Sequence, residues 1–196
     1  MNIGIFIYPD AEVLDFSGPF EVFSTANRLS SIAEQFIPLL IAETLDPVAA
    51  RGGYSVNPRC TIHDHPPLDV LIVAGGVHTE VMKNTAVTDW VTRIARSAQL
   101  VASVCTGAFV LAEAGLLSGL SATTHWEDIP ELKSAYPDVA VIEQQRWVDQ
   151  GQIVTSGGIS AGIDMSLHLV ARLASVALAE RTARQMEFDW RHNTED

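Results

Sequence analysis

Five short apolar runs punctuate the chain: IGIFIY at the start, FIPLLIA from Phe36, VLIVAGG from Val70, LVASV from Leu100 and IVTSGG from Ile153. Each is bounded by polar or turn-forming residues, the pattern of strands buried on both faces of a parallel sheet. Helical periodicity lies between them. Residues 18–29 carry Phe20, Val22 and Phe23, and residues 84–98 carry Val87, Trp90, Val91 and Ile94, with Asn84 placed to cap. Residues 106–114, 159–173 and 174–190 complete the helical set. The stretch VIEQQRWVDQGQIVTSGG breaks the alternation and reads as a hairpin turning around Asp149, Gln150 and Gly151. Strand and helix in alternation predict an α/β three-layer sandwich: a mostly parallel central sheet flanked by helices, flavodoxin-like, with the hairpin antiparallel to the rest.

Composition fits that picture. The 196 residues are 47% hydrophobic, enough for a substantial core in one domain spanning 1–196, without repeats or low-complexity tracts. The formal charge of −12 opposes binding to nucleic acid or anionic lipid. No apolar run approaches the ~20 residues of a membrane span, and MNIGIFIYPD lacks the basic start of a signal peptide. Two cysteines, Cys60 and Cys105, make no disulfide framework and suit a reducing, cytoplasmic setting. No phosphate-binding glycine motif is present to support a bound nucleotide.

Ligands of such sheets sit beyond the C-terminal strand ends, so the residues that follow the apolar runs matter most. Cys105 is the first residue after LVASV, with Ser103 and Gly107 two positions to either side. Small flanking residues let a strand turn sharply into a helix with the central side chain projecting, as in a nucleophile elbow. A thiol at a helix N-terminus is expected to favour the thiolate, although a buried structural Cys is a common alternative. Gly75 and Gly76 end VLIVAGG, where backbone N–H groups suit either an oxyanion hole or a tight turn. Asp15, between Leu14 and Phe16, is either an N-cap for a helix starting near Ser17 to Pro19 or an acid/base beside the thiol. Asp10 and Glu12 lie in a more polar stretch that reads as solvated.

His125, before Trp126, is acid, base or orienting group, or a hydrogen-bonded half-buried His. Gly158 ends IVTSGG and Ile159 follows it, forming a second Gly-lined mouth. Phe16, Val77, Trp126 and Ile159 are candidates for shaping a pocket. His63 and His65 alternate in a Pro-rich loop without a second pair of metal ligands, so a polar loop is favoured. His168 reads as a satisfied residue in an apolar helix, and Cys60 has no elbow around it.

Across nearly its whole length the chain resembles the ThiJ/PfpI superfamily of Cys-dependent α/β proteins, related in fold to class I glutamine amidotransferase domains. The segments that carry the resemblance are IGIFIYPDAEVLDFSGPFEVF, VLIVAGG, SVCTGAFVLAEAGLLSGLSATTHW and SGGISAGIDMSLHLV. Within the superfamily it is most similar to isocyanide (isonitrile) hydratases and to the sensory N-terminal domains of arabinose-regulator-type transcription factors. The hydratase resemblance implies Cys105 as nucleophile, Asp15 as general acid/base, Thr106 adjoining the site, a homodimer, and a small electrophilic substrate with no cofactor or metal. Family peptidases carry His where this chain has Thr106, and chaperone and deglycase-like members carry Glu where it has Asp15. The alternatives are a small-molecule or redox sensor and a glyoxalase or deglycase-type activity. Regulators of the related type continue for about 100 further residues, whereas this chain stops at Asp196.

Overall fold

The computed structural model describes residues 1–30, 35–191 and 193. In chain order the elements are β1 (Asn2–Phe6), α1 (Val13–Leu29), β2 (Ile37–Ala42), β3 (Val48–Ala50), β4 (Tyr54–Val56), β5 (Cys60–Thr61) and β6 (Val70–Val73). Then come α2 (Thr85–Ala95), β7 (Leu100–Val104), α3 (Gly107–Glu113), β8 (Ser121–Ala122), α4 (Ile129–Ala135) and β9 (Ala140–Val141). The chain closes with β10 (Trp147–Gln150), β11 (Ile153–Ser156), α5 (Ala161–Leu173) and α6 (Val176–Gln185).

Seven strands form one sheet in the order β10-β11-β7-β6-β1-β2-β5. All its pairings are parallel except β10 with β11, which is the hairpin the sequence predicts. Every residue of β6 and β7 is buried, as the continuous apolar runs require. β2 is only half-buried along most of its length, because it lies one strand from the sheet edge. On one face Phe6 packs on Trp90 of α2, with ring centroids 5.3 Å apart. Asn84 caps α2 as expected, its side-chain oxygen accepting from the Ala86 N–H at 3.0 Å.

Helix boundaries depart from the periodicity in two places. α1 begins at Val13, five residues before the Gly18 start, and runs through Pro19. A proline normally marks a first turn, but here the first turn is set earlier, by the Glu12 N–H donating to the Gly75 carbonyl at 2.9 Å. The last helix is shorter than residues 174–190: Ser175 breaks the chain out of α5 and caps α6 through its hydroxyl, which accepts from the Leu178 N–H. Three features gave no sequence signal strong enough to read: α4, the β3–β4 hairpin, and the two-residue β8–β9 pair. No helix among the described residues is long and apolar enough to cross a membrane.

The β10 edge is fastened to α5 by charge. Arg146 donates to the fully buried Asp164 carboxylate, whose other oxygen accepts from the Arg191 N–H at 2.8 Å. Removing one partner of a buried ion pair strands the other. Arg146→Met is therefore expected to cost about 3 kcal/mol in urea denaturation; an unchanged midpoint would show that the pair contributes nothing.

Candidate active site

The loops after β1, β6, β7 and β11 meet at one edge of the sheet, since these four strands are parallel neighbours. The first two loops are laced together: Ala11 bridges Gly76, and the Val77 N–H donates to the Asp10 carbonyl at 3.2 Å. A side chain on Gly76 would meet that carbonyl at 2.3 Å, and its φ of +141° is open only to glycine. β7 then ends in Cys105, held at φ +55°. Its N–H donates to the Ser156 and Gly157 carbonyls of the neighbouring strand end, at 3.2 and 3.3 Å. Its carbonyl accepts from the Thr124 hydroxyl at 2.9 Å. Left-handed backbone costs a non-glycine residue on the order of 1–3 kcal/mol, and these bonds from β11 and the Thr124 loop hold it there. Gly107 lets α3 start against β6, because a Cβ there would lie 2.3 Å from the Val73 carbonyl oxygen.

Asp15 sits in the first turn of α1 with no exposed surface, and it is not the helix N-cap. One carboxylate oxygen accepts from the Gly75 N–H at 3.1 Å and the other from the Ile159 N–H at 3.2 Å. The Cys105 thiol donates to the same carboxylate. Burial, helped by the nearby Glu12 charge, raises the Asp15 pKa to about 7 against those hydrogen bonds. Burial and then the Asp15 charge push the Cys105 thiol up, outweighing the Thr106 N–H that favours its anion. The helix N-terminus therefore does not yield a resting thiolate, as position alone suggests it should. Desolvation and a carboxylate neighbour outweigh it, and the resting group is a thiol.

Gly75 and Gly76 are not free oxyanion donors. The Gly75 amide holds Asp15, and the Gly76 amide donates to the Thr106 hydroxyl at 2.8 Å, which donates back to the Gly76 carbonyl at 2.9 Å. Their small size still matters: a Cβ on Gly75 would lie within 2.7 Å of Asp15, Cys105 and the Thr106 amide. Gly158 plays the same part for His125, whose ring would sit 2.1 Å from a Cβ there. Ile159 takes φ +56°, which is costly for a β-branched residue and which presents its N–H to Asp15.

A cavity of about 440 Å³ opens over Cys105, lined by Glu12, Arg51, Gly76, Val77, His78, Thr106, His125, Asp128 and Ile159, among others. Of the pocket candidates, Val77 and Ile159 line it, whereas Trp126 lines an adjoining cavity and Phe16 is buried in the core. Glu12 is not merely solvated: it pairs with Arg51 at 3.6 Å on the cavity wall. Four residues of the site, Arg51, His78, Asp128 and Tyr8, are given no role by the sequence. His78 stacks on Phe109 with centroids 4.3 Å apart, Asp128 faces His125 at 3.3 Å, and the Tyr8 hydroxyl is buried in the electrostatic field of Asp15 and Cys105. His78 follows the Gly75-Gly76 pair by two positions, which was a signal of a kind; Arg51 and Asp128 gave none.

The weaker candidates lie elsewhere. His65 accepts from the Trp90 indole N–H at 2.9 Å in a loop. His168 pairs with Asp149 at 2.6 Å and stacks on Trp147. Cys60 lies on the edge strand β5. No group of three or more His, Cys, Asp or Glu among the described residues could hold a metal ion.

The model of the DJ-1/PfpI family matches residues 1–172. Isonitrile hydratase of Pseudomonas putida is 36% identical over 194 residues, covering 96% of this chain and 78% of that protein. The HTH-type transcriptional regulator CdhR of Pseudomonas aeruginosa is 31% identical, and the match takes in 91% of this chain but 52% of the regulator, about half its length. Among solved structures, a THiJ/PfpI family protein from Pseudomonas syringae superposes with a TM-score of 0.85 at 27% identity, covering 96% of this chain and 75% of that one.

The raised Asp15 pKa has a consequence for stability. The folded carboxyl keeps its proton to about pH 7, while the unfolded one loses it near its ordinary value of about 3.9. Folding therefore binds a proton between those values, and stability falls as pH rises through that window. Between pH 5.5 and 8 the wild type is expected to lose about 2 kcal/mol that Asp15→Asn does not lose. Urea melts at the two pH values test this, and an equal drop in the variant would refute it.

Proposed function

The chain belongs to the DJ-1/PfpI family, and on that premise we propose that it is a cysteine-dependent isonitrile hydratase, converting an isonitrile and water into the N-substituted formamide. The observation that carries this reading is the contact of the Cys105 thiol with the buried Asp15 carboxylate, held by the Gly75 and Ile159 amides and raised by burial to a pKa of about 7. An isonitrile has one electrophilic carbon and no leaving group, so the catalyst must add a nucleophile and a proton to the same atom. As Sγ attacks, Asp15 takes the thiol proton and delivers it to that carbon, leaving a thioimidate on Cys105 and a carboxylate on Asp15.

The carboxylate then draws a proton from water as the hydroxyl adds to the thioimidate carbon, and passes it to nitrogen. Collapse of the tetrahedral adduct breaks the carbon–sulfur bond, forms the formyl C=O and returns the hydroxyl proton to sulfur through Asp15. The sum is one isonitrile and one water to one formamide. The Gly75 and Ile159 amides hold the carboxylate in place throughout, and Thr106 pins the turn that carries Gly75 and Gly76. The 36% identity to isonitrile hydratase over nearly the whole chain supports the assignment.

With cyclohexyl isocyanide as substrate, formamide formation is expected from the wild type and to fall about 10³-fold or more in Cys105→Ala. If wild type and variant are equally inert, the hydratase reading fails. Attack needs the Asp15 carboxylate, so kcat/KM is expected to rise with pH to a plateau, with its midpoint near 7. Activity that is flat from pH 5.5 to 8 would remove Asp15 from the proton path. The reading includes a homodimer in a reducing cytoplasm, and sedimentation at micromolar concentration would report the dimer as a doubled mass.

The similarity to CdhR favours a second reading, a ligand-sensing domain without turnover. A thermal shift on adding ligand, with Cys105→Ala shifting equally and no product formed, would select it.

A further inference from the structure

Two cavities meet at His125 and Ile159. One, of about 440 Å³, holds Cys105; the other, of about 760 Å³, is lined by Trp126, Glu143 and Arg146 among others. The two arginines on their walls are committed to carboxylates: Arg51 to Glu12 at 3.6 Å, and Arg146 to the buried Asp164. Glu143 is matched by Lys133. Glu127 and Asp128 differ. Among the described residues the ion partner of both is His125, at 3.8 and 3.3 Å. One imidazole supplies at most one positive charge against two negative ones, and none when it is neutral. His78 is the other imidazole on this wall, and while the two rings are neutral the mouth over the thiol keeps uncompensated negative charge. Beside it, Trp126 leaves 75% of its surface exposed, an unusual position for an indole and one suited to a cation lying on its face.

We propose that the electrophile received by Cys105 carries a positively charged tail, an ammonium-type group seated against Trp126, Glu127 and Asp128. The proposal rests on reading Cys105 as the nucleophile, and it adds the charge of the substrate. The reacting carbon reaches Sγ in the smaller cavity while the tail lies where that cavity opens toward the larger one. A cation there also acts on the chemistry. The Asp128 charge is one of the influences that hold the Cys105 proton on sulfur, and a positive tail beside it offsets that influence, so that binding eases the thiol's deprotonation. An anionic tail meets the opposite field, strengthened by the protein's net charge of −12.

The test separates charge preference from turnover. Thiol modification is followed with a matched pair of methanethiosulfonates, one bearing a trimethylammonium-ethyl group and one a sulfonato-ethyl group. Each rate is divided by that of the same reagent with free glutathione. Peptide mass spectrometry resolves Cys105 from Cys60, which lies on the edge strand β5 between one charge of each sign, Arg59 and Asp64, and serves as the reference outside the mouth. The cation-to-anion ratio at Cys105 is expected to exceed that at Cys60 about tenfold. It should fall to the Cys60 value in the Glu127→Gln, Asp128→Asn double variant and by about threefold in Trp126→Ala. Equal ratios at the two cysteines, or a double variant that keeps the wild-type ratio, would overturn the proposal.

Turnover is then compared for 2-isocyanoethyl-trimethylammonium and its neutral isostere 3,3-dimethylbutyl isonitrile, with kcat/KM expected about tenfold higher for the cation. Equal hydration of both overturns the charged-tail proposal and leaves the hydratase standing. If neither isonitrile is hydrated and the labelling preference is present, the hydratase reading fails and the cation-selective mouth stands.

Discussion

A carboxyl group with no exposed surface must be held by donors or give up its charge, and Asp15 does some of each. Its two oxygens take N–H groups from Gly75 and Ile159, residues on different loops 60 and 144 positions away in the chain. Those bonds lower its pKa, yet burial and Glu12 raise it further, and the balance settles at about 7. Much of the local architecture follows from delivering those donors. The Glu12 bond to Gly75 fixes where α1 begins, Gly75 has no room for a side chain, and Ile159 accepts a left-handed backbone. A protein that needed only a packed core at this edge would have no reason to accept any of the three.

The thiol is governed by the same balance. Cys105 sits at a helix N-terminus, where dipole and free amides favour an anion by roughly 1 kcal/mol. Desolvation of the buried thiol, with a carboxylate in contact, acts in the other direction and is larger. On the proposed reading the thiol becomes reactive only when Asp15 relieves it of its proton, which ties bond formation at sulfur to proton delivery by one group. The left-handed turn at φ +55°, held by the Ser156, Gly157 and Thr124 bonds, fixes the backbone from which the thiol reaches that carboxylate.

The long parallel strands could be read from the chain because being buried on both faces leaves a run with no polar interruption, as in VLIVAGG and LVASV. Cys105 and Asp15 could be picked out because each is the odd residue at a strand end or in an apolar stretch. What could not be read depends on distance along the chain. β3 and β4 have three residues each, too few for a period to show. Glu12 looked solvated because Arg51, which holds it on the cavity wall, comes 39 positions later. The helix start that favours a thiolate is local and visible, whereas Asp15, whose charge adds to burial in pushing the thiol up, lies 90 positions upstream. The Gly75 and Gly76 amides looked free for want of the same long-range information: Asp15 and Thr106 occupy them.

That last point bears on chemistry more than on fold. Acyl transfer through a thiol needs N–H groups aimed at a carbonyl oxygen as it gains charge, and the two amides best placed beside Cys105 are already committed to the site's own carboxylate and hydroxyl. Attack on an isonitrile carbon makes no such demand in its first step, because the incoming proton goes to the atom that the thiol attacks and no oxyanion forms. The group this requires is an acid/base that exchanges a proton near neutrality within reach of sulfur. On the proposed reading the buried aspartate at about 7 is that group, with the Gly75 amide spent on holding it and the Gly76 amide on the Thr106 hydroxyl.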